Sequence, residues 1–575
     1  MVGKQLRFNS TFQIYDDYIF VYSLSNSVQQ VTFTNFTDYF AAKILSSMAQ
    51  ILTDELGQSF QLGKEEHATL RGRECLEANI NTVKSIASFL SSSLGPTGMD
   101  KLLTDKDGNI YVTNDGATIL KEMDMTDNPI SQLILQLSQS QDDEIGDGTT
   151  SIVILTSAIL SQAKFLLEKG MHPIKISEGL STALKLAEKH LLKVSEEITD
   201  LNAQLLKVAK TSLGSKIVSL YDFSGLCVEA SLAVADLSRK DIDLDLISVQ
   251  SKTGKSLADT RLVKGLVIKK EFSHPQMSKC MKGARIALLS CPFEPPKLKN
   301  KNSLIVSNAE EYRSLELYEK MKFEEMITYL KNCKVDVVLC QWGFDDEANS
   351  LLMQNNIMAV RWVGGNDLGL IASHIRGSIV ARFEDLREEY LGIADVKEES
   401  LGTENEKIIT IESPGKNRAV TILVRGSTEY VIEEAKRAIR DALCAIRSMI
   451  DCERIVYGGG SCELSLSIYL DKKAKEFGCE DEAAIKAFSR ALLDIPITLS
   501  QNSGFDAVEY VEKLRELHIS NNEPCFGVDC LETGERNMKK LGIFETFKSK
   551  LRQLKMATDL VNTILKINDV ISTKD

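Results

Sequence analysis

Helical periodicity fills both ends of this chain, whereas its middle alternates strand-like and helical runs. Apolar residues recur at helical spacing over residues 74–92, 149–169 and 175–198, and again from about residue 430 onward. Between residues 284 and 382, four short apolar runs alternate with helical patterns, which is typical of an α/β module. Helix-rich ends that flank an α/β insert favour a discontinuous domain. Both ends of the chain would then contribute to the single core of that domain.

Size and composition define the broad class. A length of 575 residues allows about three or four domains, and 43% hydrophobic residues are enough to build their cores. The 81 acidic residues outnumber the 68 basic ones, and the net charge of −13 argues against a protein that binds nucleic acid. No apolar run approaches the ~18 residues of a membrane span. Twelve cysteines without zinc spacing indicate reduced thiols in a cytosolic protein.

A glycine loop before an apolar helix is the clearest functional signal. Gly146-Asp-Gly-Thr-Thr150 precedes the helix that starts near Ser151. Glycines let the backbone approach a phosphate, while the helix N-terminus and the threonine hydroxyls favour the anion. Asp147 is suited to hold the Mg²⁺ that bridges phosphates. The alternative is a helix cap and turn without a ligand, and this motif alone does not decide between the two.

Further loops favour a nucleotide pocket. Leu94-Gly-Pro96 and Asn114-Asp-Gly116 again place glycine beside a helix boundary or a carboxylate. Thr253-Gly-Lys-Ser256 ends like a Walker A loop, but Val249 stands where that pattern needs its first glycine. We therefore expect a hairpin turn there rather than a phosphate loop.

Together these residues resemble the signatures of group II chaperonins. The resemblance runs from about Gln58 to the C-terminus, and its motifs are Leu94-Gly-Pro-Thr-Gly-Met-Asp-Lys101, Val112-Thr-Asn-Asp-Gly-Ala-Thr-Ile-Leu120, Gly146-Asp-Gly-Thr-Thr150 and Gly458-Gly-Gly460. Finer matches, such as Gln341-Trp-Gly-Phe-Asp-Asp-Glu-Ala-Asn349, resemble one particular subunit of the eukaryotic cytosolic chaperonin, TRiC.

The resemblance implies a multi-domain α and α/β fold of the chaperonin type. A mainly α-helical equatorial ATPase domain would be joined by a small intermediate domain to an α/β apical, substrate-binding domain with a helical protrusion. The basic segment 295–302 would belong to that protrusion. The implied bounds are 51–196 and 452–575 for the equatorial domain, 197–262 and 418–451 for the intermediate domain, and 263–417 for the apical domain.

Residues before this region differ in composition. The first 47 residues are rich in Phe, Tyr, Ser, Thr and Asn, and Tyr18-Ile-Phe-Val-Tyr22 favours strand or disorder. Asp16 and Asp17 interrupt their apolar stretch, so we do not expect a secretory signal. Because family members normally begin near the segment that resembles residues 60–80, we interpret residues 1–50 as an N-terminal extension, disordered or produced by an over-called start codon.

The resemblance also implies a function. The chain would be a subunit of a hetero-oligomeric double ring that uses Mg-ATP binding and hydrolysis to close its chamber and assist the folding of cytosolic proteins such as actin and tubulin. Its partners would be paralogous chaperonin subunits in two stacked rings and unfolded clients, and its cofactors ATP and Mg²⁺.

Site residues follow from the same motifs. Asp115 and Asp441 would share the activation of the attacking water, and Asp147 would bind the metal. The nucleotide-binding positions would be Gly95, Pro96, Gly148, Thr149, Thr150, Ser151, Ser215, Lys216, Gly459, Asp529, Glu545 and Lys550.

Two other classes compete with this interpretation. A non-catalytic scaffold of chaperonin shape would lack the carboxylates, yet Asp115, Asp147 and Asp441 are all present. A stand-alone metabolic ATPase would need a second substrate pocket, and no motif indicates one. Departures from the family pattern, at Ser461-Cys-Glu463 and Arg425-Gly-Ser427, remove no phosphate ligand and no catalytic carboxylate.

Overall fold

The computed structural model describes residues 70–570, apart from residues 105–107, 109, 124–127, 199, 296–305, 307, 402–406, 414 and 416–418, and the backbone of five short strands before residue 62. The chain divides into two compact units, one with Met1–Arg71 and Asp569–Asp575, the other with Gly72–Asn568. The basic residues 296–302 of the predicted protrusion, and most of the predicted extension 1–50, lie outside the described residues.

The first unit contains short antiparallel strands. One sheet has the order β1-β2-β3, and two pairs, β4-β5 and β6-β22, accompany it. Of the two alternatives for residues 18–22, strand or disorder, the structure has a strand, β2. The strands are β1 (Phe12–Tyr15), β2 (Tyr18–Tyr22), β3 (Val28–Gln30), β4 (Ile51–Thr53), β5 (Ser59–Gln61), β6 (Leu70–Arg71) and β22 (Asp569–Val570).

The second unit is mainly helical. Its helices are α1 (Gly72–Ser91), α2 (Gly116–Glu122), α3 (Pro129–Glu144), α4 (Thr149–Glu168), α5 (Pro173–Val194), α6 (Leu201–Leu213), α7 (Ser224–Val234), α8 (Ala309–Asn332), α9 (Asp346–Gln354), α10 (Gly365–Ile375), α11 (Glu429–Cys452), α12 (Ser461–Ala474), α13 (Cys479–Leu492), α14 (Asp494–Asn502), α15 (Ala507–Asn521), α16 (Met538–Leu541) and α17 (Phe547–Leu565).

One hydrophobic core is built from helices of both ends of the chain. It contains buried residues between 76 and 191 and between 456 and 565, which confirms that both ends contribute to one core. Helix α4 lies at its centre, in contact with α1, α13 and α17. Contrary to the sequence expectation, α4 is long and apolar enough to cross a membrane by length and composition, but 67% of the relevant window is buried inside the protein.

The middle of the chain forms the expected α/β module around a second core. Its sheet has the order β12-β18-β17-β13-β14-β15, with β16 also paired to β13. Strands β13 to β16 are parallel neighbours that carry helices between them, as the alternating pattern predicts. The strands are β12 (Leu266–Ile268), β13 (Cys280–Leu289), β14 (Val337–Cys340), β15 (Met358–Val360), β16 (Ile379–Val380), β17 (Gly392–Ser400) and β18 (Lys407–Glu412).

A third core packs α6, α7 and α11 against a small sheet. This sheet has the order β10-β19-β11, where β10 is Ile247–Thr253, β11 is Arg261–Val263 and β19 is Val420–Gly426. The hairpin prediction for residues 253–256 is wrong. Strands β10 and β11 lie on opposite sides of β19, which is buried along its whole length, so the turn crosses over that strand.

Short strands end at two of the loops that carry the sequence motifs. Strand β20 (Arg454–Tyr457) pairs with β9 (Glu196–Glu197) and with β21 (Phe544–Thr546), and it ends at the glycine loop 458–460. Strand β7 (Lys101–Thr104) pairs with β8 (Ile110–Thr113), which ends directly before Asn114. The glycine loop and the Asn-Asp-Gly loop are therefore each fixed at the end of a strand.

Candidate functional site

The Gly146–Thr150 loop presents an uncapped helix N-terminus. Gly146 and Gly148 have φ angles of +74° and +80°, in the left-handed region that favours glycine. Gly148 is the N-cap of α4, and no side chain accepts a hydrogen bond from the first turn there. The first N–H groups of α4 therefore remain available to an anion.

Asp147 lies in this loop with a free carboxylate. Its carbonyl oxygen accepts a hydrogen bond from Gln141 Nε2 at 2.8 Å, whereas its side chain makes no hydrogen bond or ion pair within the described part of the chain. The described residues contain no group of three metal-binding side chains. A single carboxylate beside an anion site nevertheless fits Mg²⁺, which is usually held by one or two carboxylates together with phosphate oxygens and water.

Asp115 is fixed beside this loop by hydrogen bonds. It is the N-cap of α2, and its Oδ2 accepts hydrogen bonds from Thr118 N at 3.0 Å and Thr118 Oγ1 at 2.8 Å. Its Oδ1 accepts a third hydrogen bond, from Thr149 Oγ1 at 2.9 Å. A β-carbon at Gly116 would lie 2.8 Å from Thr150 Oγ1, so the close approach of the two loops requires glycine there. Two of the predicted segments are thus in direct contact.

Lys216 connects Asp441, a residue of α11 in the third core, to the loops that contain Asp115 and Gly146. Its ammonium forms an ion pair with Asp441 Oδ2 on α11, and both side chains are at most 10% exposed. The loop of Lys216 is held by Asn114, whose Nδ2 donates a hydrogen bond to the Ser215 carbonyl. A β-carbon at Gly146 would lie 3.2 Å from Asp441 Cα, so α11 also packs directly on the Gly146–Thr150 loop.

The carboxylates around Lys216 differ in their affinity for protons. Burial acts to raise the pKa of Asp115, but Lys216 and the hydrogen bonds from Thr118 and Thr149 outweigh it and lower that pKa. Burial, reinforced by Asp115, holds the pKa of Asp441 well above its usual range despite Lys216. Lys216 itself keeps its proton, since its neighbouring carboxylates outweigh burial and raise its pKa. One carboxylate is therefore held ionised while another is inclined to accept a proton, a division typical of acid–base sites.

A second group of charges lies at the other glycine loop. Lys550 Nζ on α17 contacts Glu463 Oε1 at 2.5 Å and Glu545 Oε2 at 2.8 Å. Burial and the nearby Glu463 and Asp147 raise the pKa of Glu545 to about 7, although Lys550 opposes them. A β-carbon at Gly458 would lie 3.1 Å from Glu545 Oε1, so this carboxylate rests against the loop.

The remaining predicted residues lie in three further segments of the chain. The Gly459 carbonyl accepts a hydrogen bond from Val528 N at 2.8 Å, which places Asp529 next to the loop. Asp529 Oδ2 accepts hydrogen bonds from Thr533 Oγ1 at 3.0 Å and Gly534 N at 2.8 Å. The loop with Gly95 and Pro96 is anchored on α14, because Asn502 Nδ2 donates to the Leu94 carbonyl at 2.8 Å. Ser151 continues the first turn of α4.

The structure therefore joins most predicted residues into two adjoining groups. Asp115 contacts Thr149, and Lys216 pairs with Asp441. Asn114, which holds the Lys216 loop, and Gly146, which lies against Asp441, connect the two pairs, and Thr150 lies against Gly116. Glu545, Lys550 and Asp529 lie at the second glycine loop, which contains Gly459. The contacts that hold Gly95 and Pro96 run to α14.

Sequence reasoning missed several residues. Asn114, within the Val112–Leu120 motif, holds the Lys216 loop. Asp142 lies on α3, four residues before the Gly146–Thr150 loop, and burial and Asp115 raise its pKa to about 6. Glu463, three residues after the glycine loop, pairs with Lys550. Their position next to recognised motifs is the only signal in the sequence that could have found them.

The chain is similar to proteins of one known family. Residues 86–575 match the TCP-1/cpn60 chaperonin family. T-complex protein 1 subunit epsilon of Encephalitozoon cuniculi (strain GB-M1) is 59% identical over 528 residues, which cover 91% of this chain and 99% of that protein. Thermosome subunit beta of Aeropyrum pernix is 38% identical over 531 residues, which cover 91% and 96%. A thermosome subunit of Methanopyrus kandleri is 35% identical over 533 residues, which cover 92% and 97%.

Proposed function

Because the chain belongs to the TCP-1/cpn60 chaperonin family, as a group II subunit similar to the epsilon type, we propose that it binds and hydrolyses Mg-ATP to drive closure of a folding chamber. One observation carries the proposal. Lys216 joins Asp441 of the third core to the loop that holds Asp115, directly beside the uncapped N-terminus of α4. An ionised carboxylate, a carboxylate of higher proton affinity and an ammonium thus lie beside a helix N-terminus that can bind an anion.

The residues of the first loop would hold the phosphates. The N–H groups of the first turn of α4 and the hydroxyls of Thr149 and Thr150 would donate hydrogen bonds to phosphate oxygens. Asp147 would bind Mg²⁺, which supplies positive charge to the phosphates when bound. The second glycine loop, with Gly459, Asp529, Glu545 and Lys550, would accommodate the nucleoside.

Asp115 and Asp441 would manage the attacking water. Hydrolysis needs a group that orients the water and accepts its proton, with little covalent work by the protein. Asp115, held ionised and fixed by three hydrogen bonds, suits orientation of the water. Asp441 has the higher proton affinity and suits acceptance of the proton once Lys216 turns toward the phosphates.

This arrangement would couple hydrolysis to domain movement. Asp441 lies on α11, which belongs to the third core, whereas Asp115 and Asp147 belong to loops of the helical core region. We assign the three cores to equatorial, apical and intermediate domains with the bounds implied by the sequence. Movement of the intermediate domain would then bring Asp441 into or out of the site, so that closure completes it.

The partners follow from the family. Similarity to subunits of chaperonin complexes supports partnership with paralogous subunits. We propose that they form two stacked rings in the cytosol and that unfolded proteins, actin and tubulin among them, are the clients.

Two substitutions test the proposal. Asp441→Ala should retain Mg-ATP binding but lose most turnover, while Asp147→Ala should weaken Mg²⁺-dependent nucleotide binding itself. Asp451→Ala is a matched control, because Asp451 lies on the same helix but pairs with Lys548 at an exposed position. Binding and hydrolysis are measured in rings of this subunit. Wild-type turnover by the Asp441 variant, or unchanged affinity in the Asp147 variant, would refute the corresponding role.

A further inference from the structure

Glu463 is a buried carboxylate that no step above uses. It is the third residue of α12, directly after the glycine loop 458–460, and its side chain is 4% exposed. Oε1 contacts Lys550 Nζ at 2.5 Å, but Oε2 is buried without a hydrogen-bond partner. An unpaired buried carboxylate oxygen is costly, so this position has a requirement that packing alone does not explain.

A chain of charges leads from Glu463 to the edge of the loop. Lys550, with a side chain that is 6% exposed, is shared between Glu463 and Glu545. The Glu545 side chain is 20% exposed and rests against Gly458. The three groups carry two negative charges and one positive charge when ionised. Lys550 is therefore held between a fixed buried carboxylate and a more open one.

The group of Glu463, Lys550 and Glu545 is also connected to the Gly146–Thr150 loop. A cavity of about 10 Å³, close to the smallest that holds one water molecule, is lined by Glu463, Lys550 and Gln553 among others. The Gln553 side chain lies over Gly148, where a β-carbon would come within 1.7 Å of Nε2. Glu463 thus lines the same cavity as Gln553, the side chain that covers Gly148 in the loop that we assign to the phosphates.

We propose that Glu463 is a positioning residue for the nucleoside end of the Mg-ATP site. By holding Lys550 from inside the protein, Glu463 fixes Glu545 against the Gly458–Gly460 loop. Without the negative charge of Glu463, the ammonium of Lys550 is drawn to Glu545 alone, and the Glu545 carboxylate leaves the edge of the loop. This inference rests on the proposed function, because it concerns the same nucleotide site.

The test compares two ligands that share phosphates but not a nucleoside. Binding of Mg-ATP and of Mg-tripolyphosphate to the full-length chain is measured by calorimetry for wild type, Glu463→Gln and Glu545→Gln. We expect both variants to bind Mg-ATP about tenfold more weakly, the scale for one lost charged contact, and to bind Mg-tripolyphosphate like wild type. Glu476→Gln, at an exposed ion pair near the end of α12, is the control and should change neither.

The double variant separates positioning from direct contact. If Glu463 acts through Glu545, then the Glu463→Gln/Glu545→Gln protein should bind Mg-ATP no more weakly than Glu545→Gln alone. Additive losses, equal losses for both ligands, or an unchanged affinity of Glu463→Gln would each overturn the inference. If Glu463→Gln does not fold, unchanged Mg-ATP binding by Glu545→Gln overturns it instead. Two results for the wild-type chain would refute the proposed function itself. One is that it binds neither ligand, and the other is that it binds Mg-tripolyphosphate but shows no specific binding of Mg-ATP.

Discussion

Replacing Lys216 with methionine should loosen helix α11 in a pH-dependent manner. The substitution keeps most of the side-chain volume but leaves Asp441 buried without its cation. Removing one partner of a buried ion pair costs about 3–5 kcal/mol when the remaining charge is retained. Asp441 can avoid part of this cost by binding a proton, because burial and Asp115 already raise its pKa.

The sign of the pH dependence follows from linkage. A carboxyl whose folded pKa lies above its unfolded value binds more protons in the folded state, so its folded form loses stability as the pH rises toward the folded pKa. The Lys216→Met protein should therefore be less destabilised at pH 6 than at pH 8, with a slope of at most about 1.4 kcal/mol per pH unit.

Hydrogen exchange measured by mass spectrometry provides the assay, since it reports local opening of α11 within a chain of several cores. The control is Lys548→Met, because Lys548 and Asp451 form an ion pair whose side chains are 44% and 51% exposed. Such exposed pairs contribute about 0–1 kcal/mol. If Lys216→Met opens α11 no more than Lys548→Met does, or opens it equally at pH 6 and pH 8, the assignment of a buried charged pair is wrong.

Two further substitutions probe the same region. Gly146→Ala should destabilise the protein by about 2–5 kcal/mol, because a left-handed alanine and a β-carbon 2.6 Å from Cys444 Cβ both cost free energy. Gly170→Ala, which has φ +89° but open space around it, should cost only about 1–2 kcal/mol, and equal thermal midpoints for the two variants would contradict the steric argument. Asp142→Asn should stabilise the protein by about 1–2 kcal/mol at pH 8 and by less at pH 5, because the partly exposed wild-type carboxyl has a pKa of about 6 when folded against 3.8 when unfolded. Thermal unfolding at both pH values measures this difference, and an equal gain at both would exclude titration of Asp142 as its cause.

Local sequence patterns predicted the parts of the site that depend on backbone conformation. Gly146 and Gly148 adopt the left-handed conformations that a glycine loop before a helix suggests, and Asp115 caps its helix as Asn-Asp-Gly sequences do. The long helices at both ends and the alternation of helices and strands in the middle were likewise predictable, because these elements carry their own periodicity. The start of helix α8 at Ala309 is an exception, because its first turns are exposed and show no apolar period.

Features that depend on distant segments were beyond local patterns. Asp441 resembles any charged residue on an amphipathic helix until Lys216, 225 positions away, is placed beside it. The burial of Glu463 could not be predicted for the same reason, because its partner Lys550 lies 87 positions away. The error at residues 253–256 also arose this way, since the strand that separates β10 from β11 comes from residues 420–426.

The composite helical core has a consequence for synthesis of the chain. Its first part is complete at residue 191, but α17, which packs on the apolar helix α4, ends 374 positions later, at residue 565. At about 5–20 residues per second, roughly 20–75 s pass between the two events on a ribosome. During this time α4 has no partner for much of its apolar surface, and the growing chain is exposed to aggregation. Until α17 emerges, a nascent chain of this topology therefore keeps apolar surface of its central helix open to other chains.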